Sequence, residues 1–301
     1  MRPVPVARVN GVELVYEERG TGEPLVLIAG IGMQLVAWPE RFLEALCERG
    51  FRVIVFDNRD VGLSTKMDHA GVPPVRAMIA RALLGLSVRA PYTLFDMAGD
   101  VAGLLDTLDL PRAHVVGVSL GGMVAQAMAI AHGRRLTSLV SMMSHPNASL
   151  LFVGLPHATI KLLQPPARSR ADAVARQVEF FRTVGSRAFF RDEGGVAERA
   201  GKAYDRCYHP PGFARQLAAV LATGDLRARL RSVECPTLVL HGSVDPIIRA
   251  VHGRETARAI PGAEFRLIPG WGHDLAEGAL PLLADAIRSH AFRKNSGLAE
   301  W

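Results

Sequence analysis

The chain of 301 residues is 49% hydrophobic and 21% charged, a balance that supports a sizeable buried core and excludes a disordered chain. Its formal net charge of +6 is not gathered into basic runs or interleaved with aromatics, which argues against a nucleic-acid partner, and no apolar run is long enough for a membrane span or a secretory leader. Cys47, Cys207 and Cys235 are too few and too widely spaced for a disulfide framework or a zinc cluster. These features predict a cytoplasmic protein without a metal site.

The opening "ARVNGVELVYEE" alternates about Asn10-Gly11, the signal of an antiparallel hairpin. Apolar, β-branched runs then recur: "PLVLIAG", "FRVIVFD", "HVVGVS", "LTSLVSMMS", "PTLVLHG" and "EFRLIPG". Such runs suit strands buried on both faces of a sheet. Helix-length segments separate them, including 39–49 and 96–108, the latter with Leu104, Leu105 and Leu108 at helical spacing. The alternation predicts an α/β fold with a mostly parallel sheet of about eight strands flanked by helices.

Two segments depart from that rhythm. Residues 66–95 hold "VRAMIARALLGL", a mostly apolar helix between proline-containing loops. It is expected either to pack over the core or the insertion, or to act as a lid, with 73–88 in peripheral contact with lipid. Strand signals also stop after Ser144 and return at Pro236, and residues 145–231 carry 14 Lys/Arg against 7 Asp/Glu. The expected organisation is a core of 1–144 and 232–301, a helical cap of 145–231, and 66–95 as an additional lid segment within the core.

Between a strand-like run and a helix-like run stands Gly117-Val118-Ser119-Leu120-Gly121. In G-x-S-x-G the serine occupies a sharp strand-to-helix corner, and the glycines relieve the crowding around it. A dinucleotide site is disfavoured because G-x-G-x-x-G is absent. A serine hydroxyl needs a base to become a nucleophile, and the base needs a carboxylate to orient it. His273 in "IPGWGHDLAEG" follows the final strand, where a glycine-rich loop can carry an imidazole over the sheet's carboxyl edge. Asp245 in "LHGSVDPI" lies between Ser119 and His273 in sequence, at a strand end. His241 is expected to be a structural turn residue and His114 to lie at the far end of the elbow strand. Asp274 is a weaker rival for the acid, and Asp96, Asp100, Asp106 and Asp109 suit a solvated helix face. The backbone amides of Ile31 and Leu120 are the expected oxyanion donors. Gly30, Met33, Trp38, His145 and Trp271 are candidate pocket residues, with a place in the core as the alternative for the tryptophans and Met33.

At these residues the sequence resembles the α/β-hydrolase superfamily over nearly its whole length, through "LIAGIG", "FDNRDVGLS", "GVSLGG", "GSVDP" and "GWGH" in family order. "AWPERF", "DNRDVGLST" and "APYTLFDMAGDV" are most similar to the aclacinomycin methylesterase-like branch of bacterial esterases, lipases and thioesterases. The resemblance implies an eight-stranded sheet, a helical cap after the sixth strand and no cofactor. Two positions depart from the family pattern: Ala29-Gly30 replaces a common His-Gly, and Asp60 replaces the first glycine of D-x-R-G-x-G-x-S. The combined expectation is a serine hydrolase of small-molecule or lipid carboxylic esters. Thioesterase, lactonase, acyltransferase and cofactor-free perhydrolase activities share the same residues, and a non-catalytic receptor is the alternative of a different class. The arginine-rich insertion would suit an anionic leaving group such as coenzyme A or a phospholipid head.

Overall fold

The computed structural model describes residues 4–147 and 154–293. Residues 1–3, 148–153 and 294–301, which fall within the expected core and cap segments, lie outside the described residues.

The chain opens with the hairpin of β1 (Val6–Val9) and β2 (Val12–Arg19). Asn10 and Gly11 take φ of 46° and 76° at its turn, the left-handed pair that a two-residue connection requires. There follow β3 (Glu23–Ile28), α1 (Glu40–Glu48), β4 (Phe51–Phe56), α2 (Val75–Leu83), α3 (Leu94–Thr107), β5 (Ala113–Val118), α4 (Leu120–Ala131) and β6 (Leu136–Met142). Among the described residues five helices follow before the next strand: α5 (Pro156–Leu162), α6 (Arg170–Val184), α7 (Glu193–Arg206), α8 (Pro210–Thr223) and α9 (Arg227–Leu230). The chain then returns to the sheet with β7 (Thr237–Gly242), α10 (Ala250–Ala259), β8 (Glu264–Ile268) and α11 (Leu280–Ala291).

The eight strands form one sheet in the order β1-β2-β4-β3-β5-β6-β7-β8. β2 runs antiparallel to β1 and β4, and every other pairing is parallel. Side chains alternate between the two faces with the period of a strand: Val26 and Ile28 pack towards α3 and α4, Leu25 and Leu27 towards α1 and α11. A capping box starts α3, with the Thr93 hydroxyl accepting from the Asp96 amide and the Asp96 carboxylate accepting from the Thr93 amide. The order reverses at β3, which has β4 on one side and β5 on the other. Loops leaving the carboxyl ends of β3 and β5 therefore diverge and open a crevice there, the usual ligand position in an open α/β sheet.

One expectation for α3 is overturned. Asp96, Asp106 and Asp109 are exposed, but Asp100 is buried. It receives Arg59 in two hydrogen bonds of 2.6 and 2.5 Å, and Asn10 in a third of 3.0 Å. Periodicity placed Asp100 among its exposed neighbours because nothing local to α3 reveals a guanidinium arriving from the loop after β4. α2 packs on α8 with Met78 buried, while Leu83 and Leu84 at its end face solvent. Among the described residues no helix is long and apolar enough to cross a membrane.

Candidate active site

Ser119 sits between the last residue of β5 and the first of α4, at φ 54° and ψ −119°. This backbone is costly for any side-chain-bearing residue and persists where the surroundings hold it. A Cβ on Gly117 would come to 2.1 Å from the Gly121 carbonyl oxygen, and one on Gly121 to 2.0 Å from that of Ile28. Only glycine fits either position, so the turn can close tightly enough to project the serine. The Ser144 hydroxyl donates to the Ser119 carbonyl at 2.8 Å and pins the corner from β6's side.

Asp245 and His273 arrive from the loops after β7 and β8. Asp245 is buried, and its Oδ1 accepts from the amides of Ile247 and Ile248, both at 2.9 Å. Burial pushes this carboxyl up, but the attraction of His273 and hydrogen bonding from His241 and His273 outweigh it and hold the group down at about 2. Asp245 is thus an anion at neutral pH. Its Oδ2 lies 2.7 Å from His273 Nδ1, which places the proton on Nδ1 and leaves Nε2 free to accept from the Ser119 hydroxyl at 3.1 Å. The His273 amide donates to the Val184 carbonyl at 2.8 Å, so the inserted helices help to fix the loop.

Gly30, Ile31 and Gly32 turn over the serine from the end of β3. Met33 donates to the Gly30 carbonyl at 3.1 Å, and the Gly32 amide donates to Gln216 Oε1 at 2.8 Å. Among the described residues the Ile31 and Leu120 amides have no protein acceptor. A cavity of about 840 Å³ reaches Ser119 and His273 and takes in Gly30, Ile31 and Met33. The inserted helices give it an apolar wall that includes Leu162, Leu163, Phe180, Phe181, Val196 and Phe213. Among the described residues no cluster of histidine, cysteine or carboxylate side chains could hold a metal ion.

Residues 23–278 match a family model described as alpha/beta hydrolase fold. The chain belongs to this family. Rhodomycin D methylesterase DnrP of Streptomyces peucetius is 28% identical to it over 316 residues, covering 95% of this chain and 98% of its own. A 2-hydroxy-6-oxononadienedioate/2-hydroxy-6-oxononatrienedioate hydrolase of Paraburkholderia xenovorans is 31% identical over 267 residues, 87% of this chain and 84% of its own. Among solved structures, the enol-lactonase from Burkholderia xenovorans superposes with a TM-score of 0.66 at 26% identity, covering 95% of this chain and 97% of the other.

In this α/β hydrolase three candidate pocket residues lie elsewhere. Trp38 is 2% exposed and stacks on Phe42 of α1, beneath the loop that carries it. Trp271 is fully buried, and its indole N–H donates to the Asp274 carbonyl at 2.8 Å. His145 is buried with Nδ1 accepting from the Asn147 amide at 2.9 Å, and burial pushes it down to about 3. None of the three reaches the cavity. Gly30 and Met33 do. His114 meets Ser138 at 2.8 Å near the opposite end of β5. His241 is fully buried, its Nε2 donating to the Ile248 carbonyl at 2.7 Å with Asp245 Oδ2 at 3.5 Å. Asp274 turns away from the serine and accepts from the Ser186 amide at 3.0 Å and hydroxyl at 2.5 Å.

Sequence patterns did not reveal what the insertion holds in place. Asp60 adopts φ 70°, the conformation that the family glycine would supply without strain. Its carboxylate receives Arg215 of α8 at 2.7 and 2.9 Å and the Tyr92 hydroxyl at 2.7 Å. Arg206 of α7 likewise reaches buried Asp57 at 2.6 Å. At the position where the family pattern has glycine, the loop thus carries a left-handed aspartate held by an ion pair. The D-x-R motif flagged this loop, but the cationic partners are about 150 residues away, with separations of 155 and 149, and carry no local signal.

Proposed function

We propose that this α/β hydrolase cleaves carboxylic esters through an acyl-enzyme on Ser119. The observation that carries the reading is the hydrogen-bonded row from Ser119 Oγ through His273 to anionic Asp245 at the floor of an apolar cavity. Ser119 attacks the acyl carbonyl as His273 Nε2 takes its proton, and the amides of Ile31 and Leu120 receive the developing oxyanion. His273 then gives the proton to the departing alcohol, and water releases the acyl group by the same route. Asp245 holds the imidazole in the required tautomer and stabilises its cation.

The cavity favours a neutral, apolar acyl part. Several inserted arginines already face carboxylates of the chain: Arg170 faces Asp205, Arg176 Asp172, Arg182 Glu193, Arg206 Asp57, Arg215 Asp60 and Arg227 Asp225. Arg191 and Arg199 line the cavity outside any such pair among the described residues, so support for an anionic leaving group rests on these two rather than on the charge excess as a whole. Hydrolysis of p-nitrophenyl acetate, butyrate, octanoate and palmitate tests the reading, with a thioester and a lactone in the same panel. Specificity should rise with acyl length until the cavity is filled, because each buried methylene contributes about 0.8 kcal/mol. Ser119→Ala should abolish turnover, and Asp245→Asn should lower kcat on the order of 10⁴-fold while leaving the fold intact. Full activity in purified Ser119→Ala would remove the serine from the mechanism, and preference for the thioester or lactone would move the substrate class.

A further inference from the structure

We propose that the end of α2 and the turn after it dock this protein on an anionic lipid surface. Three leucines project there: Leu83 is 45% exposed, Leu84 74% and Leu86 49%. Apolar side chains left this exposed forgo part of the gain of burial, and exposed apolar patches of this kind commonly mark a surface that meets another phase or partner. Gly85 at φ 68° turns the chain between Leu84 and Leu86, so the leucines share one short tip rather than a groove.

The charge around the tip selects the occupant. Arg81 and Arg89, on either side of the leucines, are exposed, and no aspartate or glutamate occurs from Gly71 to Phe95. Arg81 donates to the Ser87 carbonyl at 2.9 Å and has no carboxylate partner among the described residues. An apolar tip ringed by unneutralised cations suits a bilayer interface with anionic headgroups, where leucines enter the acyl boundary and arginines remain at the phosphates.

The same element connects that surface to the active site. Its inner side buries Met78 as it packs on α8, and Val72, Val75 and Arg76 line the cavity that reaches Ser119. Docking would bring the cavity near a surface in which esters dissolve, with the lining residues at the start of α2 and the leucines at its end. That delivery role rests on the ester-hydrolase reading, whereas docking itself does not.

Sedimentation with phosphatidylcholine vesicles, with and without phosphatidylglycerol, tests the proposal on the full chain. The wild type should pellet with phosphatidylglycerol vesicles and detach as salt is added. The pair Arg81→Gln and Arg89→Gln should weaken binding by about fivefold for each arginine removed. Leu83→Ser, Leu84→Ser and Leu86→Ser together should abolish it. Both variants should hydrolyse p-nitrophenyl butyrate at the wild-type rate, which reports an intact fold. Three results overturn the proposal: wild type left in the supernatant with anionic vesicles, triple-variant binding equal to wild type, or a wild-type dimer that the triple variant converts to monomer. Absence of ester hydrolysis in every sample would instead sink the function reading, with the vesicle result unaffected.

Discussion

Replacing Asp60 by the glycine common in the family pattern should destabilise this protein, although glycine is the better residue for its backbone. Asp60→Gly relieves a left-handed aspartate, φ 70°, which returns about 1 kcal/mol. It also leaves Arg215, fully buried on α8, without the carboxylate that receives its guanidinium at 2.7 and 2.9 Å. Breaking a buried pair by removing one partner typically costs about 3–5 kcal/mol. Asp68 remains at 2.8 Å from the same guanidinium but is 61% exposed, and contacts of that kind contribute under about 1 kcal/mol. The Gly71 carbonyl also remains, at 2.9 Å.

The expected net loss is therefore about 2–4 kcal/mol, measured as a shift in urea midpoint at constant m. The double variant Asp60→Gly, Arg215→Met should recover part of that loss, since it removes the buried charge rather than orphaning it but leaves the buried Tyr92 hydroxyl without its acceptor. A single variant within about 1 kcal/mol of wild type, or a double variant worse than the sum of its parts, would refute the reasoning.

The remaining predictions concern acid stability and the loop that carries His273. Burial pushes His114 down to about 4 and His145 to about 3. Below about pH 6.5 the unfolded chain takes up protons that these buried rings do not, so stability rises with pH and is lost as pH falls towards those values. The slope should be about 1.4 kcal/mol per pH unit for each histidine. Urea unfolding between about pH 7 and 4 should show a shallower slope in His145→Gln; an unchanged slope would exclude His145 as a source. Ser186→Ala removes a hydroxyl that accepts from the Gly272 amide at 3.1 Å and donates to Asp274 at 2.5 Å. Loosening the residues on both sides of His273 should lower kcat about tenfold with little change in KM and alter the pH–rate profile, while an increase confined to KM would assign Ser186 to substrate binding.

How much of this was legible depended on the range of the signal. The strand runs, the Asn10-Gly11 turn and the G-x-S-x-G corner are set by neighbouring residues and by backbone sterics, so local patterns revealed them. Ser119, Asp245 and His273 stand out as candidates in the sequence because each follows a strand, and the carboxyl ends of parallel strands share one edge, where the three side chains meet. Inward and outward directions of large side chains were less accessible. Trp38 and Trp271 share loops with Ile31 and His273, and His145 follows the neighbouring β6, yet all three turn into the core, because a loop residue's direction depends on what packs behind it. Asp100 failed for a related reason: a buried carboxylate looks polar in sequence until its arginine is known.

The long-range contacts that sequence could not reveal converge on the two loops that flank Ser119. Gln34 of the loop after β3 donates to the carbonyls of Ala203 and Cys207 at 2.7 and 2.6 Å, and Gln216 accepts from Gly32. On the other side of Ser119, Val184 and Ser186 hold the backbone at Gly272 and His273. Arg206 and Arg215 fasten the same inserted helices to Asp57 and Asp60. The elements that shape the cavity wall are therefore also the supports of the turn over the serine and of the histidine. A change in wall residues that shifts α7 or α8 would be felt as altered turnover as well as altered preference, because reacting groups must be held to a fraction of an ångström. The exposed end of α2 is different: its leucines bear on neither loop, so that surface can change what reaches the cavity without disturbing the groups at its floor.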